Sequence, residues 1–482
     1  MQAEKTPGRP GSASFRASLR AHLPLVLLLL AAALGLRLLF IFAAPRPSSW
    51  AGDARYYVTA ANLLAGNGYS WDEAPPYGPS LASVPAYPFF IAAVYAVAGA
   101  RPDAVRVAQA LLDLLTCLLV AYLSFNLAPA RLKRRAALSA LAVYGLLSWF
   151  TMVWTTCLLS ETLALFLTAL TAALCARALD GGRWTYWAAA GAACGLAVLT
   201  RPDSALLAGA VLLFLGARGA RRRSTAALLP AAGFCLALAL TLAPWTLRNY
   251  LVFGVFEPLA NEYGCPRGCY FPVGYLHWLR TWLGDETHFA YAFNPAWPPP
   301  PGPYTFDPAG LPRAAYDSEE ERLRLVALTE RYNRDGFIAP DADEEFRALA
   351  IERVARAPFR SLVRLPVYRL ASMWLTGFST SRPTPYLMLL RVFSVVPLLL
   401  GGALGFALWC RGRPLAWLLL SVVLVRSAFF GFHYAPETRY IVEAYPAVIA
   451  ACGVTAAAAW EYLSKRLGRA RGKGREGEKP QT

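Results

Sequence analysis

Residues 22–44 read HLPLVLLLLAAALGLRLLFIFAA, an apolar stretch of the length that a helix needs to cross a bilayer, about 20 residues. The segment before it, residues 1–21, carries four cationic side chains: Lys5, Arg9, Arg16 and Arg20. No small-residue cleavage site with a soluble domain follows, and more apolar runs come after it. We therefore interpret 22–44 as a start-transfer helix and expect the N-terminus in the cytoplasm.

The composition of the whole chain is that of a polytopic membrane protein. Hydrophobic residues make up 56% of the 482 residues and charged residues 16%, and the mean hydropathy is +0.38. These values argue against a soluble protein of two or three domains. Nine further runs are candidate spans: 105–128, 136–156, 160–178, 184–200, 203–217, 225–244, 386–409, 414–431 and 440–461. With the first span they predict an all-α bundle of about ten spans with both termini inside.

The excess of positive charge indicates membrane orientation. The chain has 47 Lys and Arg against 30 Asp and Glu, a net charge of +17. Much of the surplus lies in four basic segments beside the apolar runs: RLKRR (131–135), ARGARRRS (217–224), CRGR (410–413) and KRLGRARGKGR (465–475). The positive-inside rule places these segments in the cytoplasm, and we expect no nucleic-acid partner.

The segment 83–100 (SVPAYPFFIAAVYAVAGA) decides the parity of the topology. It is apolar but scarcely long enough to span, and it contains Pro85 and Pro88 in its first turns. All four basic segments are cytoplasmic only if 83–100 does not cross the membrane. We therefore predict a juxtamembrane helix at the outer interface. The alternative is a crossing here that is balanced by a span missed elsewhere.

This topology divides the chain into parts with different environments. The predicted parts are a cytoplasmic tail (1–21), a transmembrane catalytic module (22–244) with a first external loop (45–104), an external loop and helical domain (245–385), C-terminal transmembrane helices (386–461) and a basic cytoplasmic tail (462–482).

Within the external domain, 314–335 and 341–357 have helical periodicity. Asp341 and Asp343 lie where a helix N-terminus favours anionic residues. The mixture of Arg with apolar and aromatic residues in 358–378 is typical of an interfacial helix.

Two carboxylates at predicted outer loops are candidate catalytic groups. Asp53 follows the first span, and Glu161 opens the apolar run 160–178. A carboxylate held at the membrane surface can accept a proton from a nucleophile or orient it. The alternative is structural, because Asp53 also suits a helix cap and Glu161 suits the positive end of a helix dipole. The sequence leaves both interpretations open.

Arginines on the same predicted face are candidates for binding phosphate. Arg201 lies in a short turn, Arg248 in APWTLRNYLVFG and Arg439 in PETRY. Guanidinium groups bind phosphate bidentately, so three of them on one face suggest a lipid-phosphate or diphosphate ligand. Arg55, next to the first acid, is the fourth candidate. The alternative for any single arginine is anchoring to phospholipid headgroups.

Four further residues are candidates for binding substrate. Tyr56 and Tyr57 follow Arg55 and are suited to holding a sugar or the membrane edge. His433 and Glu437 share the loop GFHYAPETRY with Arg439.

No metal or other cofactor is indicated. His277 and His288, with acids between them, match no recognised ligand spacing. Cys265 and Cys269 form a CxxxC without a second half, which disfavours zinc, and a disulfide between them remains an alternative. Binding of a divalent cation remains an alternative, but no residue pattern in the sequence supports it. The chain also lacks a Walker sequence and GxSxG, which disfavours nucleotide-driven transport and serine hydrolysis.

Several segments together resemble the GT-C superfamily of integral-membrane glycosyltransferases. They are GDARYYVTAANLLAGNGYS (52–70), SETLALFL (160–167), LTRPDSALL (199–207), PWTLRNYLVFGVFEPL (244–259), ALAIERVARAPFRSLVRLPVYRLASMW (348–374) and PETRYIVEAYPAVIAACG (436–453). They are similar to family 39 members related to protein O-mannosyltransferases and to the lipid A aminoarabinose transferase.

The resemblance implies a GT-C-like bundle with an active site on the outer face of a bacterial inner membrane. It implies hexosyl or pentosyl transfer from a polyprenyl-phosphate sugar to a protein, lipid A or glycan acceptor, among membrane lipids. Asp53 matches the family's loop acid and Glu161 its second acid. Relatives often show Asp-Glu where this chain has Asp53-Ala54. A lipid-linked saccharide flippase and a polysaccharide polymerase or ligase are the alternatives.

Overall fold

The computed structural model describes residues 14–43, 54–181, 183–222, 228–260, 270–295, 305–376, 385–409 and 412–476. In chain order the α-helices of these ranges are α1 (Phe15–Arg20), α2 (Leu23–Ala43), α3 (Ala54–Ala65), α4 (Ala86–Ala98), α5 (Pro102–Leu127), α6 (Lys133–Ala142), α7 (Trp149–Met152), α8 (Glu161–Gly181), α9 (Trp184–Val198), α10 (Ala205–Arg222), α11 (Leu228–Phe253), α12 (Val273–Arg280), α13 (Phe289–Phe293), α14 (Glu319–Asp335), α15 (Pro340–Arg356), α16 (Leu365–Thr376), α17 (Pro385–Leu404), α18 (Pro414–Phe432) and α19 (Tyr445–Glu476). No β-strand occurs in the same ranges, and the predicted all-α class is confirmed.

The predicted spans correspond to helices throughout the described chain. Seven helical segments are long and apolar enough to cross a membrane, namely those containing α2, α5, α8, α10, α11, α18 and α19. A bent pair that contains α6 and α7 makes an eighth. The other two predicted spans are helical but shorter, since α9 has 15 residues and the described apolar stretch within and after α17 runs over Phe393–Trp409. The chain is an integral membrane protein.

The helix in 83–100 is too short to span. α4 has 13 residues, so it is about 20 Å long at 1.5 Å per residue, against a hydrocarbon core of about 30 Å. Its first backbone amide, at Ala86, donates a hydrogen bond to the carbonyl of Leu199 at 2.9 Å. α4 is therefore tied to the end of α9. Its position at the outer interface remains a prediction.

The span predicted at 136–156 is bent. Its two halves, Lys133–Leu147 and Trp149–Thr156, meet at an angle of 61°. A π-helical turn at Val143–Leu147 precedes the break, and the Ser148 hydroxyl donates to the Val143 carbonyl at 3.0 Å, in place of a continuing helical bond.

α19 lies inside the bundle, while α11 lies at its surface. In their most apolar windows 83% of the α19 residues are buried, against 11% of the α11 residues. α11 packs closely on α9 because Gly191 has no side chain: a Cβ there would lie 2.1 Å from the Phe234 carbonyl oxygen. Small residues allow such close approach of membrane helices.

Basic segments gather at one end of the bundle. The side chains of Arg131 and Arg135 both lie 3.9 Å from the Glu461 carboxylate on α19. The Arg413 guanidinium donates to the Ala128 carbonyl at 2.9 Å. Three of the four predicted basic segments therefore share one end. That arrangement agrees with a common cytoplasmic side, which remains a prediction.

The predicted external domain has its own aromatic core. α12 packs on α15, and Tyr275, Trp278 and Phe346 form its centre. The predicted helices at 314–335 and 341–357 are confirmed as α14 and α15. α14 begins after Ser318, whose hydroxyl accepts the Glu321 amide at 3.1 Å. α16 lies within the segment predicted to be interfacial.

Candidate functional site

A pocket of about 580 Å³ opens at the end of the bundle opposite the basic segments. Its walls come from the start of α3, the loop before α4, the start of α8, the turn between α9 and α10, the α13 region and the loop before α19. Among the predicted site residues, six line this pocket: Arg55, Tyr56, Glu161, Arg201, Glu437 and Arg439. Residues distant in sequence therefore converge here.

Glu161 and Arg201 form the ion pair in the wall of the pocket. The Arg201 Nη1 donates to Glu161 Oε1 at 2.6 Å, and the two residues are 8% and 2% exposed respectively. Glu161 opens α8, while Arg201 is held between α9 and α10 by a bond from its amide to the Ala197 carbonyl. Glu161 Oε2 is buried and has no hydrogen-bond partner among the described residues.

Three more charged residues lie behind this pair. The Arg201 Nε lies 3.1 Å from Asp203 and 3.3 Å from Glu443. Arg426, on α18, donates through Nη2 to Asp203 and, at 3.0 Å, to Glu443. The Ser204 hydroxyl donates to Glu443 at 3.0 Å. The two arginines are thus held by carboxylates from several elements.

This cluster, which we call the pocket cluster, consists of Glu161, Arg201, Asp203, Arg426 and Glu443. Three carboxylates face two guanidinium groups, so one negative charge is in excess when all the groups are ionised. An excess buried charge is unfavourable unless water, a proton or a cationic or hydrogen-bonding ligand compensates it. A ligand in the pocket can supply this compensation by donating a hydrogen bond or bringing a positive charge to Glu161 Oε2, which has no partner among the described residues.

Arg439 and Glu437 form a separate pair on another wall. The Arg439 Nε lies 2.6 Å from Glu437 Oε2, and Nη2 donates to Oε1 at 3.1 Å. The Arg439 side chain is 34% exposed, more than that of Arg201. The Thr438 amide between them donates to Glu286 Oε1 at 2.7 Å. Burial, and to a smaller extent the neighbouring Glu437, raise the pKa of Glu286 to about 7, while the hydrogen bond from the Thr438 amide acts in the opposite direction.

The start of α3 supplies the remaining predicted lining residues. Arg55 and Tyr56 line the pocket, and Tyr56 packs edge-on against Tyr87 of α4 at 5.1 Å. Tyr57 is 37% exposed and is not among the lining residues. Asp53 lies outside the described residues, as do Cys265 and Cys269. α3 begins at Ala54, in agreement with the predicted helix start.

Two predicted site residues lie away from the pocket. Arg248 donates to the Ser80 carbonyl at 2.9 Å and stacks over Trp245, with 4.8 Å from its guanidinium carbon to the ring centre. His433 lines a neighbouring cavity, and its Nδ1 accepts the Ala435 amide at 3.1 Å. Arg248 and His433 are therefore not among the residues that line the pocket, although the His433 ring lies 4.1 Å from that of Tyr434 in its wall.

Comparison with known proteins bears on the fold. Residues 79–246 match the family model described as dolichyl-phosphate-mannose-protein mannosyltransferase. The structure is similar to the oligosaccharyltransferase AglB of Archaeoglobus fulgidus in complex with an inhibitory peptide and a dolichol-phosphate. The TM-score is 0.53 at 14% identity, over 93% of this chain and 52% of that chain. The apo form of the A. fulgidus oligosaccharyltransferase gives 0.52 at 15% identity over the same shares.

The chain has the GT-C fold. ArnT from Cupriavidus metallidurans, bound to undecaprenyl phosphate, also matches, with a TM-score of 0.38 at 15% identity over 89% of this chain and 78% of that chain. No curated protein matches the sequence. The chain spans about half the length of the A. fulgidus structures that it matches.

Three members of the pocket cluster were not among the site residues predicted from the sequence. They are Asp203, Arg426 and Glu443. Arg426 carried a usable signal, because a charge inside an apolar run needs a buried partner. Asp203 and Glu443 lie inside segments that resemble the superfamily, but their partners are distant in sequence. Within the described ranges, no three His, Cys, Asp or Glu side chains are grouped to hold a metal ion.

Proposed function

We propose that the chain is a glycosyltransferase that moves a hexosyl or pentosyl group from a polyprenyl-phosphate donor to an acceptor at the outer membrane face. We place it in a bacterial inner membrane with the pocket facing the periplasm. The observation that carries the proposal is one pocket at the end of a membrane bundle. It is lined by arginines and by Glu161, whose Oε2 has no hydrogen-bond partner among the described residues. Its volume of about 580 Å³ lies in the usual range for small-ligand sites.

The reaction needs a base and a cationic site for the leaving group. The acceptor oxygen attacks C1 of the sugar, the bond from C1 to the phosphate oxygen breaks, and the polyprenyl phosphate leaves with that electron pair. We assign acceptance of the proton from the acceptor to Asp53, which precedes Arg55 by two residues. Glu161 Oε2 then accepts a hydrogen bond from a sugar or acceptor hydroxyl.

We assign the leaving phosphate to Arg439 and Arg55. The Arg439 side chain is 34% exposed against 9% for Arg201, and its ion-pair partner in the described chain is Glu437. Arg201 has three carboxylate partners, and no partner for its Nη2 lies within the described ranges. In this proposal Arg201 chiefly holds Glu161 in place, and Arg248 supports the wall behind Ser80.

The comparisons support a lipid-phosphate donor. The matched family model is described by a dolichyl-phosphate-mannose donor, and the AglB complex contains a dolichol-phosphate. The two descriptions share the lipid phosphate, but they differ in the transferred group, which is mannosyl in one and an oligosaccharide in the other. The donor class is therefore the better supported half of the proposal.

The test is turnover of purified Asp53→Asn with a radiolabelled polyprenyl-phosphate sugar and a membrane extract as the acceptor source. Asn keeps most of the hydrogen bonding but loses basicity, so we expect release of polyprenyl phosphate to fall by roughly 100-fold to 10,000-fold while donor binding persists. The matched control is Asp103→Asn, which changes a half-exposed carboxylate at the start of α5. Near wild-type turnover in Asp53→Asn would leave Asp53 as a helix cap.

A further inference from the structure

The aromatic ring of Tyr440 contacts both ion-paired arginines of the pocket. The guanidinium carbon of Arg201 lies 5.8 Å from the centre of this ring, and that of Arg439 lies 5.3 Å from it. Both distances are within the range of a cation–π contact, which extends to about 6 Å. Tyr440 also lines the pocket. One ring therefore joins a guanidinium group from the turn between α9 and α10 to one from the loop before α19.

A second ring supports Tyr440 from behind. Phe430, on α18, stacks on the Tyr440 ring with 4.7 Å between the ring centres and 4° between the ring planes. Phe430 is buried. The ring of His433 lies 5.5 Å from each of these two rings. Phe430 therefore covers one face of the Tyr440 ring, and the end of α18 sets where that ring lies.

The backbone of Tyr440 is held by the same helix. Arg426, on α18, donates through Nε to the Tyr440 carbonyl. It also donates through Nη2 to Asp203 and Glu443, which are both partners of Arg201. Arg426 thus holds both Tyr440 and the carboxylates around Arg201 from one position in the bundle.

The ion pair of Arg439 with Glu437 does not by itself fix the Arg439 guanidinium in the pocket. The two residues belong to the same loop, so their ion pair moves with that loop. Arg201 carries the same charge as Arg439, and its repulsion favours positions of Arg439 that point away from it. An aromatic face attracts a guanidinium group, and the Tyr440 ring is bound to α18 as well as to the loop. The ring therefore gives Arg439 a fixed position relative to Arg201.

We propose that Tyr440 is a positioning residue of the pocket, whose ring holds the Arg439 guanidinium in the place where the phosphate of the donor binds. Arg201 and Glu161 then face the sugar from a fixed distance, because Arg201 contacts the same ring. Tyr440 acts through Arg439 and takes no part in forming or breaking a bond. This inference rests on the proposed function, which assigns the leaving phosphate to Arg439.

The first test does not depend on the reaction. Phenylglyoxal modifies accessible arginine side chains, and the modification rate of Arg439 in the purified full chain can be followed by mass spectrometry of its peptides. In Tyr440→Leu this rate should rise roughly threefold, the factor expected when a weak cation–π contact is lost. Tyr440→Phe keeps the ring and should react like the wild type. Arg37, which is fully buried in the bundle, is the internal reference and should stay unmodified while the fold persists.

Two further variants control for packing. Tyr445→Leu is the matched control, because it removes a buried ring at the start of α19 that is not among the pocket-lining residues. Phe430→Leu leaves the Tyr440 ring without its support, so the Arg439 rate should rise there too, by less than in Tyr440→Leu. An unchanged Arg439 rate in both Tyr440→Leu and Phe430→Leu would overturn the inference, as would an equal rise in Tyr445→Leu.

The second test measures binding of radiolabelled farnesyl phosphate, an isoprenoid phosphate without a sugar. Tyr440→Leu should weaken its binding about tenfold, the effect of losing one charge-assisted hydrogen bond, while Tyr440→Phe and Tyr445→Leu should bind like the wild type. A merely structural role predicts equal affinities per folded molecule in Tyr440→Leu and Tyr445→Leu. A raised modification rate without any loss of farnesyl phosphate binding would leave Tyr440 as the residue that positions Arg439, and it would count against the phosphate assignment alone.

Discussion

Two buried arginine clusters among the described residues of the bundle differ in how completely their charges are matched. One is the pocket cluster; the other, which we call the core cluster, consists of Arg37, Asp113 and Tyr144. In both, short ion pairs join helices distant in sequence. Buried ion pairs between arginine and carboxylate thus occur at two depths of the same molecule, and they have different consequences.

The core cluster is closed. Arg37 and Asp113 are both 0% exposed, and the Arg37 Nη2 lies 2.6 Å from Asp113 Oδ2. The Arg37 Nη1 donates to the carbonyls of Ala33 and Gly145, and the Tyr144 hydroxyl donates to Asp113 Oδ1 at 2.6 Å. One cation meets one anion, and the hydrogen-bonding capacity of the carboxylate is used on both oxygens. Such a cluster has an evident role in joining α2, α5 and the π-helical turn at Val143–Leu147.

The pocket cluster is open. It has one carboxylate more than it has guanidinium groups, and the buried Oε2 of Glu161 has no described partner. It also borders a cavity, whereas the core cluster lies between packed helices. A charge imbalance that adjoins a cavity is suited to ligand recognition, and an equal pairing without a cavity is suited to structure.

The largest expected effect on stability follows from unbalancing the core cluster. Asp113→Asn leaves the Arg37 charge buried in the membrane without its counterion, which we expect to cost on the order of 3 to 5 kcal/mol. The measurement is thermal unfolding of the purified protein in detergent, together with turnover per folded molecule, which should not change.

The double variant Arg37→Leu with Asp113→Leu is the companion to this experiment. Removing both charges avoids the unpaired ion, so the double variant should be considerably more stable than Asp113→Asn. If it is equally unstable, packing around Arg37 matters more than charge, and the comparison of the two clusters loses its basis.

The same amide substitution in the pocket cluster should affect catalysis instead. Glu161→Gln reduces three carboxylates to two, which then match Arg201 and Arg426, so we expect little change in melting temperature. Turnover should fall by about 100-fold, roughly 2.7 kcal/mol, because the oxygen that recognises substrate loses its charge. A large loss of stability with turnover per folded molecule intact would make Glu161 a structural residue like Asp113.

A smaller effect on stability is expected from the titration of Glu286, which lies beside the pocket cluster but is not part of it. Burial raises the pKa of Glu286 from its ordinary 4.5 to about 7. The folded protein therefore keeps a proton that the unfolded chain releases, so this contribution to stability is complete below pH 4.5 and is lost as the pH rises through about 7.

Glu286→Gln removes this titration. From about pH 5 to about pH 8 the melting temperature of the wild type should fall by a few degrees relative to the variant. Parallel pH profiles of the two proteins would mean that Glu286 titrates in its ordinary range. Gln can still accept the hydrogen bond from the Thr438 amide, so the loop that carries Arg439 should be preserved.

Much of the fold was predictable because hydropathy is a local property. Apolar runs of about 20 residues must be helical in a bilayer, and all ten predicted spans are helical over the residues that the structure describes. The start of α14 was predicted a few residues too early, since periodicity does not mark the cap at Ser318. The bend at Ser148 could not be predicted, because it depends on contacts around Val143–Leu147.

The site was predictable only in part. Six predicted residues line one pocket, since the topology placed their loops at one end of the bundle. The predicted topology did not distinguish Arg248 from Arg439, because it places both arginines at the outer ends of membrane spans. Arg248 instead stacks on Trp245. The two arginines differ in the direction of their side chains, which a topology does not predict.

The sequence by itself determined that this chain is a helical membrane protein with basic segments at one end and acids and arginines at the other. Composition and the spacing of apolar runs are sufficient for that. Only the tertiary structure decided which arginine meets which carboxylate. Arg37 pairs with Asp113 across 76 positions, and Arg426 with Asp203 across 223. Packing of distant helices sets these pairings, so the balanced cluster and the unbalanced one are not distinguishable before the chain folds.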